Sequence, residues 1–213
     1  QVSIDGSRPE VHDRVRGKGS FDRAVRGLRL LVEAGFPVTA RVTINPFNVD
    51  DLGGIARLLL EDVGLETFGT NDVMAMGAGC ENQGTVTLTP GQQLLAMRSL
   101  SRLAAEYDGR ITAMAGPLAR LRQFRAMEAA RAEGREASGG MGCLSACGGV
   151  FTKLSVHHDG VITPCNILPS MVLGRMNEDS LSRIWKEHSS LAALRDRKGI
   201  PVRTVPGCED CGW

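Results

Sequence analysis

Residues 143–165 read CLSACGGVFTKLSVHHDGVITPC, and this stretch holds three of the chain's six cysteines. Its later part predicts two short strands around an Asp-Gly turn, a strong local signal for a β-hairpin. A hairpin brings its two ends together, so Cys147, before the first strand, and Cys165, after the second, are expected to lie side by side. Cys143 lies one short loop earlier. Three thiols are therefore expected to converge on one centre.

Two further cysteines, Cys208 and Cys211, lie in the sequence GCEDC near the end of the chain. Four thiolates around one centre suit either a zinc ion or an iron–sulfur cluster. A zinc ribbon usually uses CxxC knuckles on both sides, and the CxxxC spacing of Cys143 and Cys147 does not match them. Free buried thiols or disulfides would also account for these cysteines. Cys80, isolated in the sequence, is expected to be an ordinary thiol.

Charge and composition exclude several classes of partner. The net charge is +1 and the basic residues are spread along the chain, so no nucleic-acid partner is expected. No apolar run approaches the roughly 20 residues that cross a bilayer, so no membrane partner is expected. Spaced cysteines without a secretory signal favour a reducing, cytoplasmic compartment. Because the chain begins at QVSID without an initiating Met, we expect it to be a piece of a longer protein.

The first half of the chain alternates predicted strands with amphipathic helices. Strands are predicted in residues 1–5, in residues 38–45 and within residues 66–77. Helices are predicted over residues 21–34 with Ser20 as the N-cap, after Asn48, and after the capping box of Thr89 and Gln92. Strands separated by single helices imply right-handed crossovers and a parallel sheet.

Polar and apolar residues alternate within the first two strands. Val42 and Ile44 share one face with their apolar neighbours, whereas Ser3, Asp5 and Arg41 point the other way. Strands buried on both faces usually read as unbroken apolar runs. The apolar face is therefore expected to meet the helices, and the polar face to line a concave interior. This pattern predicts an α/β fold that forms part of a barrel with a ligand site inside.

The character of the sequence changes twice along the chain, which predicts three regions. Residues 1–116 form the α/β part, residues 117–142 form an Arg-rich helix and a linker, and residues 143–213 form a small α+β cysteine-rich domain. A capped amphipathic helix is predicted over residues 179–199 of this domain. The four histidines show no ligand spacing and are expected to be surface or hairpin residues: His12, His157, His158 and His188.

Several of these stretches resemble radical SAM/SPASM proteins. The run from Cys147 through Gly160 to Cys165 fits C-x9-15-G-x4-C, which opens the SPASM pattern, and GCEDC resembles the start of its next block. The opening residues 1–35 resemble the fourth strand and helix of radical SAM partial (β/α) barrels, and residues 36–52 resemble the fifth strand and its helix. The resemblance covers nearly the whole chain.

The resemblance implies ligands for two auxiliary 4Fe-4S clusters. Cys143, Cys147 and Cys165 match three ligands of the first cluster, and Cys208 and Cys211 match the first two ligands of the second. The sequence contains no CxxxCxxC, the loop that holds the catalytic cluster in this family. We therefore expect the isolated chain to be inactive.

The resemblance also implies a site for S-adenosylmethionine on the polar strand face. Ser3, Asp5, Arg41 and the weaker candidate Asn45 match positions that hold its amino-acid and ribose ends. A capped turn in the sequence SIDG is the alternative for Ser3 and Asp5. A surface or interstrand ion pair is the alternative for Arg41.

The implied activity of the longer protein is that of a radical SAM oxidoreductase that abstracts hydrogen from a peptide or protein substrate. Asn166 stands where sulfatase-maturating members carry an Asp that acts as the catalytic base. An amide cannot take that role, so a maturase of ribosomally made peptides is favoured. Two different classes compete with this reading: a non-catalytic, zinc-stabilised or degenerate peptide-binding module, and an ordinary α/β-barrel lyase. The strand over residues 1–5 is expected to leave an unpaired sheet edge. Either the chain self-associates through this edge, or its own tail covers the edge.

Overall fold

The computed structural model describes residues 1–74, 78–134, 143–144 and 147–209. The chain forms two compact units, Gln1–Arg125 and Ala126–Trp213. None of the helices that the structure describes is long and apolar enough to cross a membrane.

The first unit is built on a parallel four-stranded sheet in the order β1-β2-β3-β4. The strands are β1 (Val2–Ser3), β2 (Ala40–Ile44), β3 (Phe68–Asp72) and β4 (Ile111–Ala113). Strand order follows chain order, as successive crossovers of one hand require. The predicted α/β fold with parallel strands is confirmed, and β4 is an additional strand that the sequence analysis did not identify.

Helices connect these strands or follow the last of them. They are α1 (Pro9–Arg16), α2 (Ser20–Glu33), α3 (Leu52–Arg57), α4 (Ala78–Glu81), α5 (Gln83–Val86), α6 (Pro90–Glu106) and α7 (Gly116–Ala132). A π-helical turn over Leu58–Asp62 extends α3.

The core of the first unit lies between the helices and the apolar face of the sheet. Ala40, Val42 and Ile44 of β2 are completely buried, while Arg41 and Thr43 between them stay partly exposed. Leu28 of α2, Ile55 of α3 and Leu100 of α6 belong to the same apolar cluster. Removing such side chains from water stabilises the fold by about 1.5–3 kcal/mol each. The alternation read from the sequence therefore fixes which face of the sheet is buried.

The predicted N-cap of α6 is confirmed, whereas the predicted N-cap of α2 is not. Thr89 caps α6 through a complete capping box with Gln92, as predicted. Ser20 is instead the first residue of α2, and Asp13 of the preceding helix takes over the capping. Its carboxylate accepts hydrogen bonds from the backbone N–H of Gly19 at 2.6 Å, the N–H of Phe21 at 2.9 Å and the Ser20 hydroxyl at 3.0 Å.

These hydrogen bonds change the ionisation of Asp13. Burial acts to raise its pKa, but the N–H groups of Phe21 and Gly19 and the hydroxyl of Ser20 outweigh it, so the pKa is lowered. An ionised carboxylate at the start of α2 also complements the helix dipole.

The second unit contains an antiparallel three-stranded sheet and short helices. Its strands are β5 (Ser155–Val156), β6 (Val161–Thr163) and β7 (Gly174–Arg175), and its helices are α8 (Gly149–Thr152), α9 (Leu181–Glu187) and α10 (Ser189–Asp196). The predicted hairpin is confirmed as β5 and β6, with Gly160 at φ +82 in its turn. Ile162, Leu173, Ile184 and Leu191 form the apolar core of this unit.

The predicted helix over residues 179–199 is divided at His188. This residue is extended, with φ −68 and ψ 121, and separates α9 from α10. Its Nδ1 accepts a hydrogen bond from the backbone N–H of Ser190 at 3.3 Å and so caps α10. The sequence analysis missed this break because histidine is not a usual capping residue.

His12 is buried, although the sequence analysis placed it at the surface. Only 1% of the residue is exposed, and its Nδ1 accepts a hydrogen bond from the backbone N–H of Asp5 at 2.9 Å. Burial lowers its pKa from the ordinary value of 6.5, aided by Arg16, and outweighs Asp5 and Asp13, which raise it.

We predict that the first unit loses stability as the pH falls through 6.5, the ordinary pKa of histidine. The unfolded chain then takes up a proton that folded His12 resists, so the free energy of unfolding falls by at most about 1.4 kcal/mol per pH unit. The stabilisation is complete above 6.5. Urea unfolding between pH 8 and pH 5.5 measures this slope.

The matched variants for this prediction are His12→Asn and His158→Asn. Asparagine keeps an acceptor for the Asp5 N–H but cannot take up a proton, so His12→Asn should flatten the slope. His158 is exposed, and its replacement should leave the slope unchanged. Parallel slopes for wild type and His12→Asn would contradict the prediction.

Candidate functional site

Polar side chains cover the face of the parallel sheet opposite the core. Strand register places Ser3 beside Arg41, and Thr43 beside Asn71. Thr112 follows on β4, opposite Gly69. We call this surface the polar strand face. It is the face that the sequence analysis assigned to a ligand.

Arg41 lies across the polar strand face. A Cβ added at Gly69 would lie 3.5 Å from its Cζ and Nε atoms, so the guanidinium rests over the backbone of β3. With the Gln1 amide oriented to satisfy both groups, its oxygen accepts hydrogen bonds from Nε and Nη2 of Arg41 at 3.1 Å. Among the residues that the structure describes, no carboxylate pairs with Arg41. The guanidinium fork is held in place by a neutral, exposed group that a carboxylate ligand could displace.

Asn71 on β3 carries an unsatisfied polar atom. Its Oδ1 is buried and has no hydrogen-bond partner within the described parts of the chain. A buried acceptor without a partner costs about 1–3 kcal/mol. The sequence analysis did not single out Asn71, although its alternation with Phe68 and Thr70 could have placed it on the polar face.

Asp5 is fully buried and its carboxylate is fully engaged. One oxygen accepts a hydrogen bond from Nε of Arg16 at 2.6 Å, and the other accepts from the backbone N–H of Thr43 at 2.7 Å. The carboxylate therefore links α1 to β2. The cofactor role predicted for Asp5 remains a prediction, and the contacts present in the structure are all within the fold.

Asn45 is likewise buried and engaged at the end of β2. Its Nδ2 donates to the carbonyl of Thr43 at 3.0 Å, and its Oδ1 accepts from the N–H of Phe47 at 2.9 Å. Asn48, which was predicted to cap a helix, donates instead to the carbonyls of Asp5 at 3.1 Å and Thr43 at 2.9 Å. The two asparagines fix the turn that follows β2.

The cysteines of the second unit lie at the ends of its short elements. Cys147 precedes α8, which separates it from the hairpin, and Cys165 follows β6 directly. Cys143 forms an isolated antiparallel bridge with Pro201. Cys208 lies beyond these elements and donates its N–H to the carbonyl of Val205 at 2.9 Å. Cys211 lies outside the described residues.

The hairpin fixes the backbone of Cys165. The Thr163 hydroxyl donates to the carbonyl of Cys165 at 3.0 Å, and Nε2 of His157 lies 3.0 Å from the same hydroxyl oxygen. With the hydroxyl proton directed to the Cys165 carbonyl, the tautomer of His157 that carries a proton on Nε2 would donate to the hydroxyl oxygen. His157 thus supports the chain at Cys165, a role that its sequence position did not reveal.

The described cysteines are unpaired, but their sulfur atoms do not form a cluster of three metal-binding side chains in the described parts of the chain. Cys80, Cys143, Cys147, Cys165 and Cys208 are all free thiols. Within residues 1–74, 78–134, 143–144 and 147–209, no three Cys, His, Asp or Glu side chains close around a common metal-binding point. The donor chemistry therefore fits a thiolate-ligated group, whereas the convergence of Cys143, Cys147 and Cys165 remains a prediction.

Comparison with protein families and known proteins agrees with these features. Residues 147–212 match the SPASM family, described as an iron–sulfur cluster-binding domain. The AdoMet-dependent heme synthase of Methanosarcina barkeri is 27% identical over 205 residues, which cover 92% of this chain and 55% of that protein. The chain thus spans about half the length of this relative.

The chain is also similar to a second relative over a short stretch and to a solved structure over nearly its whole length. Mycofactocin maturase MftC of Mycolicibacterium smegmatis is 51% identical over 59 residues, or 27% of this chain and 15% of that protein. The solved structure "Native anSMEcpe with bound AdoMet and Cp18Cys peptide" has a TM-score of 0.63 at 14% identity, and the match covers 99% of this chain and 56% of the other. This likeness supports the fold. Residues 147–212 therefore carry a SPASM domain, and the chain is similar to a radical SAM-type relative over most of its length.

Proposed function

We propose that the protein is a radical SAM oxidoreductase that abstracts hydrogen from a peptide or protein substrate. The observation that carries this proposal is the SPASM match over residues 147–212, on a chain whose first unit is a parallel α/β sheet with an open polar face. In the proposed organisation, residues 1–116 form the second half of a partial barrel. Residues 117–142 form a helix and linker, and residues 143–213 form the SPASM-like domain.

The cysteines of that domain are the proposed ligands of auxiliary 4Fe-4S clusters. Cys143, Cys147 and Cys165 would hold one cluster, and Cys208 and Cys211 would contribute to a second. The free state of the four described thiols among them supports this assignment. Such a cluster, when bound, accepts an electron or binds substrate. The protein's part is to fix the sulfurs, as the Thr163 contact fixes the backbone of Cys165.

The polar strand face is the proposed binding surface for S-adenosylmethionine. Ser3 and Arg41 would contact it, because both are partly exposed and Arg41 presents a fork that matches a carboxylate. Asp5 and Asn45 would shape the edge of the site from their buried positions. Bound there, S-adenosylmethionine would supply the group that abstracts hydrogen. Since the sequence lacks CxxxCxxC, we propose that the chain alone has no turnover.

A peptide is the favoured substrate class. One relative that is similar over 59 residues is named a mycofactocin maturase, and one solved neighbour has a bound peptide in its name. Asn166, directly after Cys165, is exposed and its amide cannot take up a proton. This residue favours a maturase of ribosomally made peptides over a sulfatase maturase.

We predict that the chain binds iron and sulfide through Cys165. After anaerobic reconstitution, wild type should show the broad visible absorption of an iron–sulfur cluster, and Cys165→Ala should lose most of the iron because a ligand is missing. Cys80→Ala is the control and should keep it. Metal analysis and visible spectra measure both quantities. Bound zinc without colour in wild type would favour the zinc-stabilised module instead.

We predict that Arg41 contributes to binding of S-adenosylmethionine. In the intact protein, Arg41→Gln should weaken the affinity at least about tenfold, since a lost charge-assisted hydrogen bond is worth about 1.5–3 kcal/mol. Anaerobic titration calorimetry measures the affinity. Arg29→Gln, at an exposed position of α2, removes the same charge and should have no effect. Equal affinities for wild type and Arg41→Gln would refute the assignment of Arg41.

We also propose that the isolated chain self-associates through the edge of β1. In the sheet order, β1 pairs with β2 on one side only. The N–H groups of Val2 and Ile4 donate to β2, at 3.0 Å to Thr39 and 2.9 Å to Arg41. The intervening N–H of Ser3 therefore points outward, where a second strand could pair.

Proline at position 3 tests this edge. Ser3→Pro removes the outward donor without removing either hydrogen bond to β2, so it should convert an associated species into a monomer. Ser3→Ala keeps the donor and should associate like wild type. Size-exclusion chromatography with light scattering measures the mass. A wild-type chain that stays monomeric as its concentration rises would argue against the proposal.

A further inference from the structure

Arg195 of α10 is a half-buried cation with one unused donor. Its guanidinium stacks on Trp185 at 4.3 Å from the ring centroid. Nε donates to the carbonyl of Val150 at 2.9 Å, and Nη1 donates to the carbonyl of Trp185 at 2.6 Å. Nη2 is buried and has no acceptor among the described residues. Two of the three nitrogens are thus explained by the fold and the third is not.

Arg195 contacts Val150, which lies in the turn that begins at Cys147. The backbone N–H of Val150 donates to the carbonyl of Cys147 at 3.1 Å, so Val150 belongs to the turn that begins at this cysteine. Nε of Arg195 donates to the carbonyl of the same residue, Val150. Arg195 therefore anchors the turn that carries Cys147.

The segment that follows α10 holds Cys143 as well. The N–H of Leu144 donates to the carbonyl of Ile200 at 2.7 Å, and the N–H of Gly199 donates to the carbonyl of Leu144 at 3.1 Å. Cys143 itself bridges to Pro201. The end of α10 and its following residues thus contact the backbone beside both cysteines of the CxxxC spacing.

A second cation approaches α8 from the same segment. Nζ of Lys198 lies 5.3 Å from the centroid of the Phe151 ring, next to Val150 in sequence. Arg195 and Lys198 therefore place positive charge beside the turn that starts at Cys147. A thiolate-ligated iron–sulfur cluster offers negative charge and sulfur acceptors, which suit an unpaired guanidinium donor.

We propose that Arg195 positions and tunes the iron–sulfur cluster held by Cys143 and Cys147, donating its Nη2 N–H to a thiolate or sulfide sulfur. The inference rests on the proposed cluster site. Positive charge and hydrogen bonds at the sulfurs favour the reduced cluster, so Arg195 raises its reduction potential. A purely structural Arg195 would hold α8 and α10 together but leave the potential unchanged.

The test compares Arg195→Gln, Arg195→Lys and Arg197→Gln in the 213-residue chain. Each variant is reconstituted anaerobically with iron and sulfide in the presence of dithiothreitol, which offers an external thiol ligand. Iron content, the midpoint potential of the cluster and the melting of the apo chain are measured. Arg197 is exposed, and its replacement removes the same charge two residues away.

Arg195→Gln should shift the midpoint potential of the bound cluster to more negative values, whereas the Arg197→Gln control should keep the wild-type potential. Arg195→Lys should lie closer to wild type because it keeps the charge. If Arg195→Gln does not fold, citrulline, the neutral isostere of arginine, replaces residue 195 by nonsense suppression and should give the same negative shift.

The outcomes separate this inference from the function on which it rests. A wild-type chain that binds no iron refutes the cluster site and the role of Arg195 with it. A wild-type chain that binds iron, together with a neutral replacement of Arg195 that keeps both iron and potential, refutes the role of Arg195 alone. An equal shift in the Arg197→Gln control has the same meaning, because the effect is then not specific to Arg195.

Discussion

The buried carboxylate of Asp5 connects most of the elements that shape the polar strand face. It accepts hydrogen bonds from Arg16 of α1 and from the backbone of Thr43 in β2. The backbone of the same residue donates to His12 and accepts from Asn48. A buried charge is stable only when it is paired and hydrogen-bonded. The end of β1, the first helix and the turn after β2 therefore depend on one another.

This arrangement leaves the remaining polar groups of the sheet available. Asp5 and Asn45 form hydrogen bonds within the fold. In contrast, the guanidinium of Arg41 hydrogen-bonds only to the exposed amide of Gln1 among the described polar groups. Oδ1 of Asn71 has no hydrogen-bond partner among the described residues. A site that binds a charged ligand needs both features, a rigid frame and groups that are not yet satisfied. The polar strand face combines them in neighbouring strands.

The second unit has only a small apolar core. Ile162, Leu173, Ile184 and Leu191 are its buried apolar residues, and so few side chains give limited stability. Backbone hydrogen bonds and the fork of Arg195 hold the segments that carry Cys143 and Cys147. In small domains of this kind, bound metal commonly contributes to folding. The second unit is thus suited to a cluster that stabilises the fold as it binds.

The sequence by itself determined the parallel α/β unit, the hairpin between Cys147 and Cys165, the capping box of Thr89 and the SPASM domain, because each depends on local spacing or on alternation with period two. Only the tertiary structure decided that Asp13 caps α2, that His12 is buried, that His188 divides a helix and that Arg195 anchors the turn at Cys147. These features pair polar groups across tertiary contacts or override a local preference. Sequence patterns report which face of an element is apolar, but they do not report which buried polar atom meets which partner.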